Sequence, residues 1–242
     1  MNYKDKLAIV TGGTGALGRV IVKKFADTGM TVYLPVQSME HFKSAFDTSA
    51  EGNEEFSLRK IFALPCDASN ENEVKDFVED VISLNKKVDF LINTVGGYHT
   101  KRNVVDTDTE LLEKQLKLNF FSTFYFSNEC LKNMITNNYG RIVSIGAKPA
   151  IETTAGKFAY SFSKTGVINL MQTIAEECKD FNITASAIIP SIIDTLANRE
   201  SMQNQDFTKW VTPEEIAVTI LYLLSDSAKG LRGNVIKMYG KV

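Results

Sequence analysis

Short runs of β-branched and bulky apolar residues alternate along the chain with segments whose apolar residues recur at helical spacing. The short runs predict buried strands at 7–10, 31–34, 61–64, 88–92, 142–145, 183–189 and 234–238. The segments between them predict helices at 19–28, 72–83, 110–137, 160–178 and 213–225, with a polar helix and loop across 39–58. Because no linker or internal repeat interrupts this alternation, we predict a single α/β domain over residues 1–242.

A glycine-rich turn, residues 11–18 (TGGTGALG), follows the first predicted strand directly. A helix and a second strand come next, and this order raises a glycine fingerprint above chance. Glycines permit a tight turn and a close approach of the backbone to a pyrophosphate, whose charge the following helix N-terminus would face. We therefore predict a dinucleotide site, with a ligand-free turn as the alternative.

The end of the second strand lacks the usual marker of cofactor preference. A carboxylate there binds the adenosine ribose of NAD, and a nearby arginine accommodates the 2′-phosphate of NADP. Residues 35–38 (PVQS) contain neither. Gln37 and Ser38 carry donors for a 2′-phosphate, and His41 or Lys43 would add charge. We therefore expect NADP(H) in preference to NAD(H), with NAD(H) as the alternative.

Three further positions are candidates for the same site. Asp67 follows the third predicted strand, where it would accept from an adenine amino group or cap the next helix. Residues 93–97 (NTVGG) follow the fourth strand, and their small side chains would let a cofactor ring lie against the backbone. Asn119 is a polar residue inside a strongly apolar helical segment, and a buried amide needs hydrogen-bond partners. We expect Asn119 either to cap an internal defect of the helix or to hold an active-site water.

The segment 140–164 carries the strongest candidate for chemistry, because Tyr160 and Lys164 are four residues apart in a predicted helix. Residues at that spacing share one face. An ammonium beside a phenol favours the phenolate, so we expect Lys164 to lower the pKa of Tyr160 and to make it a general acid near neutral pH. The alternative is an ordinary amphipathic face.

Composition narrows the class of protein. The chain has 242 residues, 44% hydrophobic and 23% charged, and a formal net charge of −2. The sequence has no basic stripe and no apolar run that would span a bilayer, so we expect neither a nucleic-acid nor a membrane partner. The first strand begins too early for a signal peptide, and the three cysteines and two histidines are too scattered for disulfides or a metal site. We expect a cytoplasmic protein without a metal.

Together these residues resemble the short-chain dehydrogenase/reductase family, over essentially the whole chain. The resemblance rests on Thr11–Gly18, Asp67, Asn93–Gly96, Asn119, Tyr160 with Lys164, and residues 190–195 (PSIIDT). It implies a Rossmann-type, doubly wound parallel sheet with helices on both faces. It also implies hydride transfer between a nicotinamide cofactor and a carbonyl, an alcohol or a related double bond of a small-molecule substrate.

Carried over by position, the resemblance implies a role for each site residue. Tyr160 would donate the proton, Lys164 would bind the nicotinamide ribose and Asn119 would hold the water of a proton relay. The predicted cofactor-binding residues are Thr11, Gly12, Thr14, Gly15, Ala16, Leu17, Gly18, Gln37, Asp67, Ala68, Asn93, Val95, Gly96, Tyr160, Lys164, Pro190, Ile193 and Thr195. The family commonly forms homodimers or homotetramers through the helices that carry Asn119 and Tyr160.

The sequence departs from the family pattern at two positions. Ala16 stands where a glycine is common, and we expect one methyl group to be tolerated. Ala147 stands where the family has its catalytic serine, and Ser144 has the opposite side-chain parity on the same strand. Loss of one such donor typically costs about 3–4 kcal/mol of transition-state stabilisation. Activity is therefore weak or absent, or else the substrate does not need this donor.

Residues 146–148 (GAK), with Tyr160 and Lys164, resemble the corresponding segment of dihydropteridine reductases, which also lack the serine and act on a quinonoid pterin. The second strand here lacks the acidic NAD marker of that branch. We therefore expect an NAD(P)-dependent oxidoreductase for a carbonyl, alcohol or pterin-like substrate. The rival hypotheses are a non-catalytic dinucleotide-binding sensor or scaffold and, because of Val36, a protein that no longer binds nucleotide.

The irregular segment 196–210 is a candidate substrate lid. It contains Met202, Phe207 and Trp210, which indicate an apolar or aromatic ligand if they face the substrate. The alternative is that they pack against the body of the protein or a neighbouring subunit.

Overall fold

The apolar runs of the sequence pair into one parallel sheet. The computed structural model of the protein describes residues 3–46, 60–99 and 101–242. Its strands are β1 (Leu7–Thr11), β2 (Thr31–Val36), β3 (Ile61–Pro65), β4 (Phe90–Asn93), β5 (Gly140–Ile145), β6 (Ile183–Pro190) and β7 (Asn234–Met238). They lie side by side in the order β3-β2-β1-β4-β5-β6-β7, and every pairing is parallel.

Helices connect successive strands, as the alternating pattern predicts. They are α1 (Ala16–Asp27), α2 (Met39–Ala45), α3 (Glu71–Asn85), α4 (Thr109–Leu116), α5 (Ser122–Thr136), α6 (Phe158–Glu177), α7 (Leu196–Ser201) and α8 (Pro213–Leu224). Short 3-10 turns lie at Val104–Asp106, Lys148–Ala150, Phe207–Lys209 and Asp226–Ala228. The polar helix predicted across 39–58 is present as α2, and the rest of that prediction, from residue 47 onward, lies outside the described residues.

The sheet is buried on both faces, which explains why its strands read as continuous apolar runs. Along β1, Ala8 and Val10 belong to the core on the side of α1 and α8. Leu7 and Ile9 belong to a second core on the opposite side, under α3, α5 and α6. The prediction of a doubly wound α/β fold is confirmed.

The strand order reverses between β1 and β4, and this reversal locates the site. The chain leaves β1 toward β2 and β3 on one side, and leaves β4 toward β5, β6 and β7 on the other. Such a reversal opens a crevice beyond the carboxyl ends of the strands, where doubly wound sheets bind ligands. The glycine-rich turn after β1 and the small-residue turn after β4 both lie at this edge.

The long helix predicted at 110–137 is observed with one interruption. A π-helical turn, Lys117–Phe121, joins α4 to α5 and contains Asn119. A π turn inserts an extra residue into the helical hydrogen-bond ladder and re-aims the side chains around it. Apolar periodicity alone does not reveal such an insertion.

Candidate functional site

The turn between β1 and α1 is built around two glycines that no other residue could replace without a shift. Gly12 has a φ of +66°, in the left-handed region, and its carbonyl oxygen accepts from the amide of Gly15. A Cβ on Gly18 would lie 2.1 Å from that same carbonyl oxygen. Ala16, the departure from the family pattern, is the exposed first residue of α1, where a methyl group fits.

Two cavities flank this turn at the carboxyl edge of the sheet. The one beside the ends of β2 and β3, called here the β2 cavity, has a volume of about 620 Å³. The other, beside the ends of β5 and β6 and called the β5 cavity, has a volume of about 640 Å³. Gly12 lines both of them, so the glycine turn joins the two into one cleft.

The predicted cofactor residues divide between these cavities. Those in the β2 cavity are Gly12, Thr14, Gln37, Asp67, Ala68 and Val95. Those in the β5 cavity are Gly12, Gly15, Ala16, Leu17, Gly18, Gly96, Tyr160, Lys164, Pro190 and Ile193. Three others, Thr11, Asn93 and Thr195, make contacts of a different kind, described below.

Asp67 is held as a carboxylate at the edge of the β2 cavity. It accepts hydrogen bonds from the amide and the hydroxyl of Ser69, at 2.9 and 2.8 Å. The pKa of Asp67 is held below its ordinary value, against the effect of burial. The causes are the hydrogen bonds from the Ser69 amide, the Ser69 hydroxyl and the Gln37 side chain, together with the positive charge of Lys117. Asp67 and Gln37 therefore lie side by side at this edge of the cavity.

The β2 cavity also contains charged residues that sequence reasoning missed. Glu110, Glu113, Lys114 and Lys117 reach it from α4 and the π turn. In the sequence, these four residues form the polar face at the start of the predicted helix. Such a face is equally typical of a helix surface that is exposed to solvent. His41 lines the cavity as anticipated.

Ser38, the other predicted donor for a 2′-phosphate, caps α2. Its hydroxyl oxygen accepts from the amide of His41 at 3.3 Å. A serine at this position stabilises a helix start whether or not a ligand binds.

Thr11 and Asn93 act from inside the sheet. Thr11 is buried, and its hydroxyl oxygen accepts from the amide of Thr94 at 3.2 Å, which ties the turn after β4 to β1. Asn93 is buried opposite Ser144, and its amide donates to Ser144 at 3.1 Å and to Ser127 at 3.3 Å. These contacts position the edge of the cleft, and they also account for Ser144.

Tyr160 and Lys164 both line the β5 cavity from α6. The ammonium of Lys164 is buried and donates to the carbonyl oxygen of Ile145 at 2.9 Å. Burial lowers the pKa of Lys164 to about 8. Burial also raises the pKa of Tyr160 to about 12. The prediction that Lys164 lowers the pKa of Tyr160 is therefore wrong for the protein alone, because burial of the phenol shifts its pKa upward.

Asn119 fastens the π turn to the loop after β4. Its carbonyl oxygen accepts from the amide of Gly97 at 2.9 Å, and its amide group donates to Gly97 and Gln115 oxygens at 3.1–3.2 Å. A Cβ on Gly96 would lie 2.7 Å from both the Asn119 carbonyl oxygen and the Lys164 ammonium nitrogen. The glycine therefore keeps a narrow space open between these two side chains.

Ala147 follows β5 and lines the β5 cavity with a buried methyl group, where the family resemblance implies a serine hydroxyl. Ser191 also lines the cavity, but its hydroxyl donates to the backbone oxygen of Tyr239 at 2.8 Å. Tyr98 packs edge-on against Tyr160, with ring centroids 5.5 Å apart.

The candidate lid is more regular than predicted and contributes less apolar surface to the cavity. It contains α7, whose start is capped by Thr195, and a 3-10 turn at Phe207–Lys209. Met202 lines the β5 cavity, whereas Trp210 is buried and packs on Phe207 with ring centroids 4.8 Å apart. Of the three large side chains in this segment, two pack on each other.

The family model named short chain dehydrogenase matches residues 6–206. The chain belongs to the short-chain dehydrogenase family. Members of this family are oxidoreductases with a nucleotide-binding Rossmann fold, and NAD(H) or NADP(H) is the cofactor type of the family.

Relatives span nearly its whole length. The chain is 28% identical over 250 residues to the 3-oxoacyl-[acyl-carrier-protein] reductase FabG of Aquifex aeolicus, covering 99% of this chain and 98% of that protein. NAD⁺-bound xylitol dehydrogenase has a TM-score of 0.87 at 22% identity, covering 99% of this chain and 100% of the other. ElxO with NADP bound has a TM-score of 0.87 at 20% identity, covering 97% of each chain. At these identities the structural likenesses establish the fold.

Within the described chain, no helix is long and apolar enough to cross a bilayer. In the same residues, no group of three or more histidine, cysteine or acidic side chains is arranged to hold a metal ion. The three cysteines are buried and free.

Proposed function

We propose that the protein is an NAD(P)-dependent oxidoreductase that transfers hydride between nicotinamide and a carbonyl, alcohol or pterin-like substrate, with Tyr160 as the proton donor. One observation carries this proposal: Tyr160 and Lys164 line the same cavity as the glycine turn. A proton donor and a dinucleotide-binding turn that face one cavity are what such a reaction needs.

The backbone of the cleft fits a dinucleotide. Gly12 and Gly18 bring no side chain into the β1–α1 turn at the two points where the backbone is closest packed, and Gly96 leaves room beside Lys164. We propose that the pyrophosphate is held by the turn residues 12–18 and the N-terminus of α1, which carries no acidic residue in its first turn. When bound, the nicotinamide supplies or accepts the hydride.

The protonation states support the assigned roles. With a pKa near 12, Tyr160 keeps its proton at neutral pH, which is the state a proton donor needs for reduction of a carbonyl. Lys164, with a pKa near 8, exchanges a proton readily in the same range. Asn119 holds the loop after β4 in place beside them, and we retain for it the role of supporting proton transfer.

We propose NADP(H) as the preferred cofactor. The end of β2 offers Gln37 without a carboxylate that would repel a 2′-phosphate, and His41 and Lys117 line the same cavity. Asp67 and Glu113 oppose this preference electrostatically, so we expect the discrimination against NAD(H) to be modest.

Ala147 favours a substrate that does not need a serine hydroxyl. A quinonoid dihydropterin is one such substrate, because its conjugated ring accepts the reducing equivalent without a localised carbonyl oxyanion. Ready reduction of a simple ketone, with no turnover of quinonoid dihydropterin, would remove the pterin from the proposal.

The deciding experiment combines cofactor binding with a Tyr160→Phe variant. Titration with NADPH and with NADH, followed by nicotinamide fluorescence, measures binding. We expect Tyr160→Phe to lower turnover at least about a hundredfold and to change the cofactor Kd little, because the ring remains. Tyr222→Phe, at an exposed tyrosine of α8, is the matched control. Unchanged turnover in Tyr160→Phe would refute the assignment.

A non-catalytic dinucleotide sensor or scaffold is the second candidate, and Ala147 is the observation that favours it. The two differ in turnover. Tight cofactor binding without any turnover across carbonyl, alcohol and pterin substrates would select the sensor.

We also propose that the partner of the chain is a second copy of itself, bound through α6. Phe158 and Phe162 stack on the surface of α6 with ring centroids 5.9 Å apart, and they are 40% and 52% exposed. Light scattering on the wild type and on Phe162→Glu tests this: a dimer or tetramer that dissociates in the variant supports it, and a wild-type monomer contradicts it.

A further inference from the structure

The charge of the β5 cavity is one-sided. Its lining contains two charged side chains within the described residues, Lys157 and Lys164, and no carboxylate. The chain as a whole has a net charge of −2, so this excess of positive charge is local. A cleft lined by one sign of charge concentrates ligands of the opposite sign.

Of the two lysines, Lys157 is the one available to a ligand. Lys164 already donates to the backbone oxygen of Ile145. Lys157 is half-buried at the start of α6, and its ammonium lies 5.2 Å from the centroid of the Tyr98 ring. No acidic side chain in the described part of the chain pairs with it.

Cations elsewhere around the cavity are neutralised, which makes the contrast informative. Lys148 lies 3.6 Å from a carboxylate oxygen of Glu152. Arg199 forms a two-bond pair with Asp194, one bond being 2.7 Å long. The positive charges of Lys148 and Arg199 are thus each paired with a carboxylate. The ammonium of Lys157 instead faces the β5 cavity.

Two more cations, Lys101 and Arg102, lie beside the segment that carries Lys157, although neither lines the β5 cavity. Arg102 and Lys157 form a parallel β-bridge, and the amide of Arg102 donates to the oxygen of Gly156 at 2.9 Å. The aliphatic part of Lys101 covers Gly156. Neither Lys101 nor Arg102 has an ion pair with a described carboxylate. Their positive charges add to the local field around Lys157.

We infer that the β5 cavity selects substrates that carry an anionic group, a carboxylate or a phosphate, and that Lys157 binds this group. The inference rests on the proposed oxidoreductase function for the statement that the bound molecule is a substrate. The Tyr98 ring separates the ammonium from Tyr160, since it contacts both. The reacting group and the anionic group would therefore lie on either side of that ring.

An ionic contact between Lys157 and the substrate would also compensate for the absence of a serine hydroxyl at position 147. Ala147 offers no hydrogen bond to the substrate, so orientation has to come from elsewhere in the cavity. A charged group held at Lys157 fixes one end of the substrate and thereby limits where its other end lies relative to Tyr160. Lys157 is thus a specificity-determining residue in this inference, and Tyr160 remains the proton donor.

A binding experiment with unreactive ligands tests the inference without turnover. The probes are 3-phenylpropanoate, the neutral 3-phenylpropanamide and 3-phenylpropyl phosphate, titrated calorimetrically into the protein with and without bound dinucleotide. We expect an anionic probe to bind the wild type about tenfold more tightly than the amide. Lys157→Gln should abolish this preference and Lys157→Arg should keep it. Lys229→Gln, at an exposed lysine distant in the sequence, is the matched control.

The outcomes are distinct. Tighter binding of the carboxylate or of the phosphate identifies which anion the site prefers. Equal binding of acid and amide by the wild type overturns the inference. An equal loss for acid and amide in Lys157→Gln also overturns it, because it would mean that Lys157 only supports the Tyr98 ring.

A turnover experiment then connects the site to the reaction. The measured quantity is the ratio of kcat/KM for acetoacetate to that for methyl acetoacetate. We expect Lys157→Gln to lower this ratio about tenfold, mainly through KM. If the binding preference is present but neither compound is turned over by the wild type, the anion site stands and the proposed function fails for this substrate class.

Discussion

The two cavities of the cleft are built in different ways. The β2 cavity meets the glycine turn at Gly12 and Thr14 and extends to Gln37 and Asp67, and its charged residues are of both signs. The β5 cavity draws on segments that are far apart in the sequence, carries only lysine charges in its described lining, and has a methyl group at Ala147. The glycine turn that joins the two cavities depends on backbone geometry, because Gly12 and Gly18 have no room for a side chain. The charge of each cavity depends instead on individual side chains, and in the β5 cavity these determine what reacts there.

The largest effect should come from closing the backbone turn that joins the cavities. In Gly18→Ala the new Cβ would lie 2.1 Å from the Gly12 oxygen, which forces the turn to move. We expect a loss of about 3 kcal/mol in stability and about a hundredfold weaker dinucleotide binding. Urea unfolding and fluorescence titration measure these two effects.

Gly230→Ala is the control for this prediction, since no atom of the described residues lies within 4 Å of a Cβ at Gly230. If Gly18→Ala bound dinucleotide as tightly as Gly230→Ala does, the turn would not be part of the binding site. The view that the cleft begins in backbone geometry would then be wrong.

Lys164 gives a second test, because its burial costs stability. The folded pKa of about 8 lies below the ordinary 10.5, so between these values the unfolded chain binds more protons and wild-type stability rises with pH. At pH 7 the buried charge opposes folding by about 3 kcal/mol, and the hydrogen bond to Ile145 returns about 1 kcal/mol. Lys164→Met should therefore be about 2 kcal/mol more stable than the wild type at pH 7.

This advantage should shrink as the pH rises from 8 to 10.5. Urea unfolding at pH 7 and at pH 10 measures it, with Lys229→Met as an exposed control. An advantage that grows with pH, or a less stable Lys164→Met at pH 7, would mean that the lysine is stabilised where it lies. The β5 cavity would then not be maintained at the expense of stability.

The same contrast explains how far sequence could be read. The β1–α1 turn was predictable because its chemistry is local: strand, glycines and helix lie within about twenty residues. The family pattern was likewise carried by short motifs, and the sheet followed from apolar runs. Each of these signals is complete within one segment of the chain.

Long-range features were not predictable. The raised pKa of Tyr160 depends on burial by other elements, and the partners of Asn93 come from α5 and β5. The π turn at Asn119 shows no signature in apolar spacing. The position of Lys157 in the cavity wall requires a bridge to Arg102, 55 positions earlier in the chain. Such facts follow from the packed structure.

Restoring the missing hydroxyl is the next test, and it concerns the β5 cavity alone. Ala147→Ser adds a donor to a buried position of the cavity wall. For a ketone substrate we expect kcat to rise about tenfold, less than the full worth of an oxyanion donor, because the surrounding side chains are adapted to a methyl group. Steady-state kinetics with one ketone and one quinonoid dihydropterin would separate the substrate classes. A higher kcat with the ketone only would mean that the native site is adapted to a substrate that does not need the serine hydroxyl. A kcat that rises with neither substrate would favour the non-catalytic dinucleotide sensor.

The smallest effect concerns the selective end of the β2 cavity. Gln37→Arg should shift the ratio of NADPH to NADH affinity about fivefold toward NADPH, since an arginine there accommodates a 2′-phosphate, and Gln37→Asp should shift it the other way. Fluorescence titration at low and high salt measures the ratio, and the Gln37→Arg gain should weaken with salt because the contact is exposed. Ser38→Ala is the control: its hydroxyl caps α2, so we expect the ratio to stay the same while α2 loses stability. The opposite result is a changed affinity ratio in Ser38→Ala and an unchanged ratio in both Gln37 variants. It would place the 2′-hydroxyl or 2′-phosphate of the cofactor against the start of α2. Cofactor preference would then be set by side chains outside the glycine-rich motif, as the reactivity of the β5 cavity is.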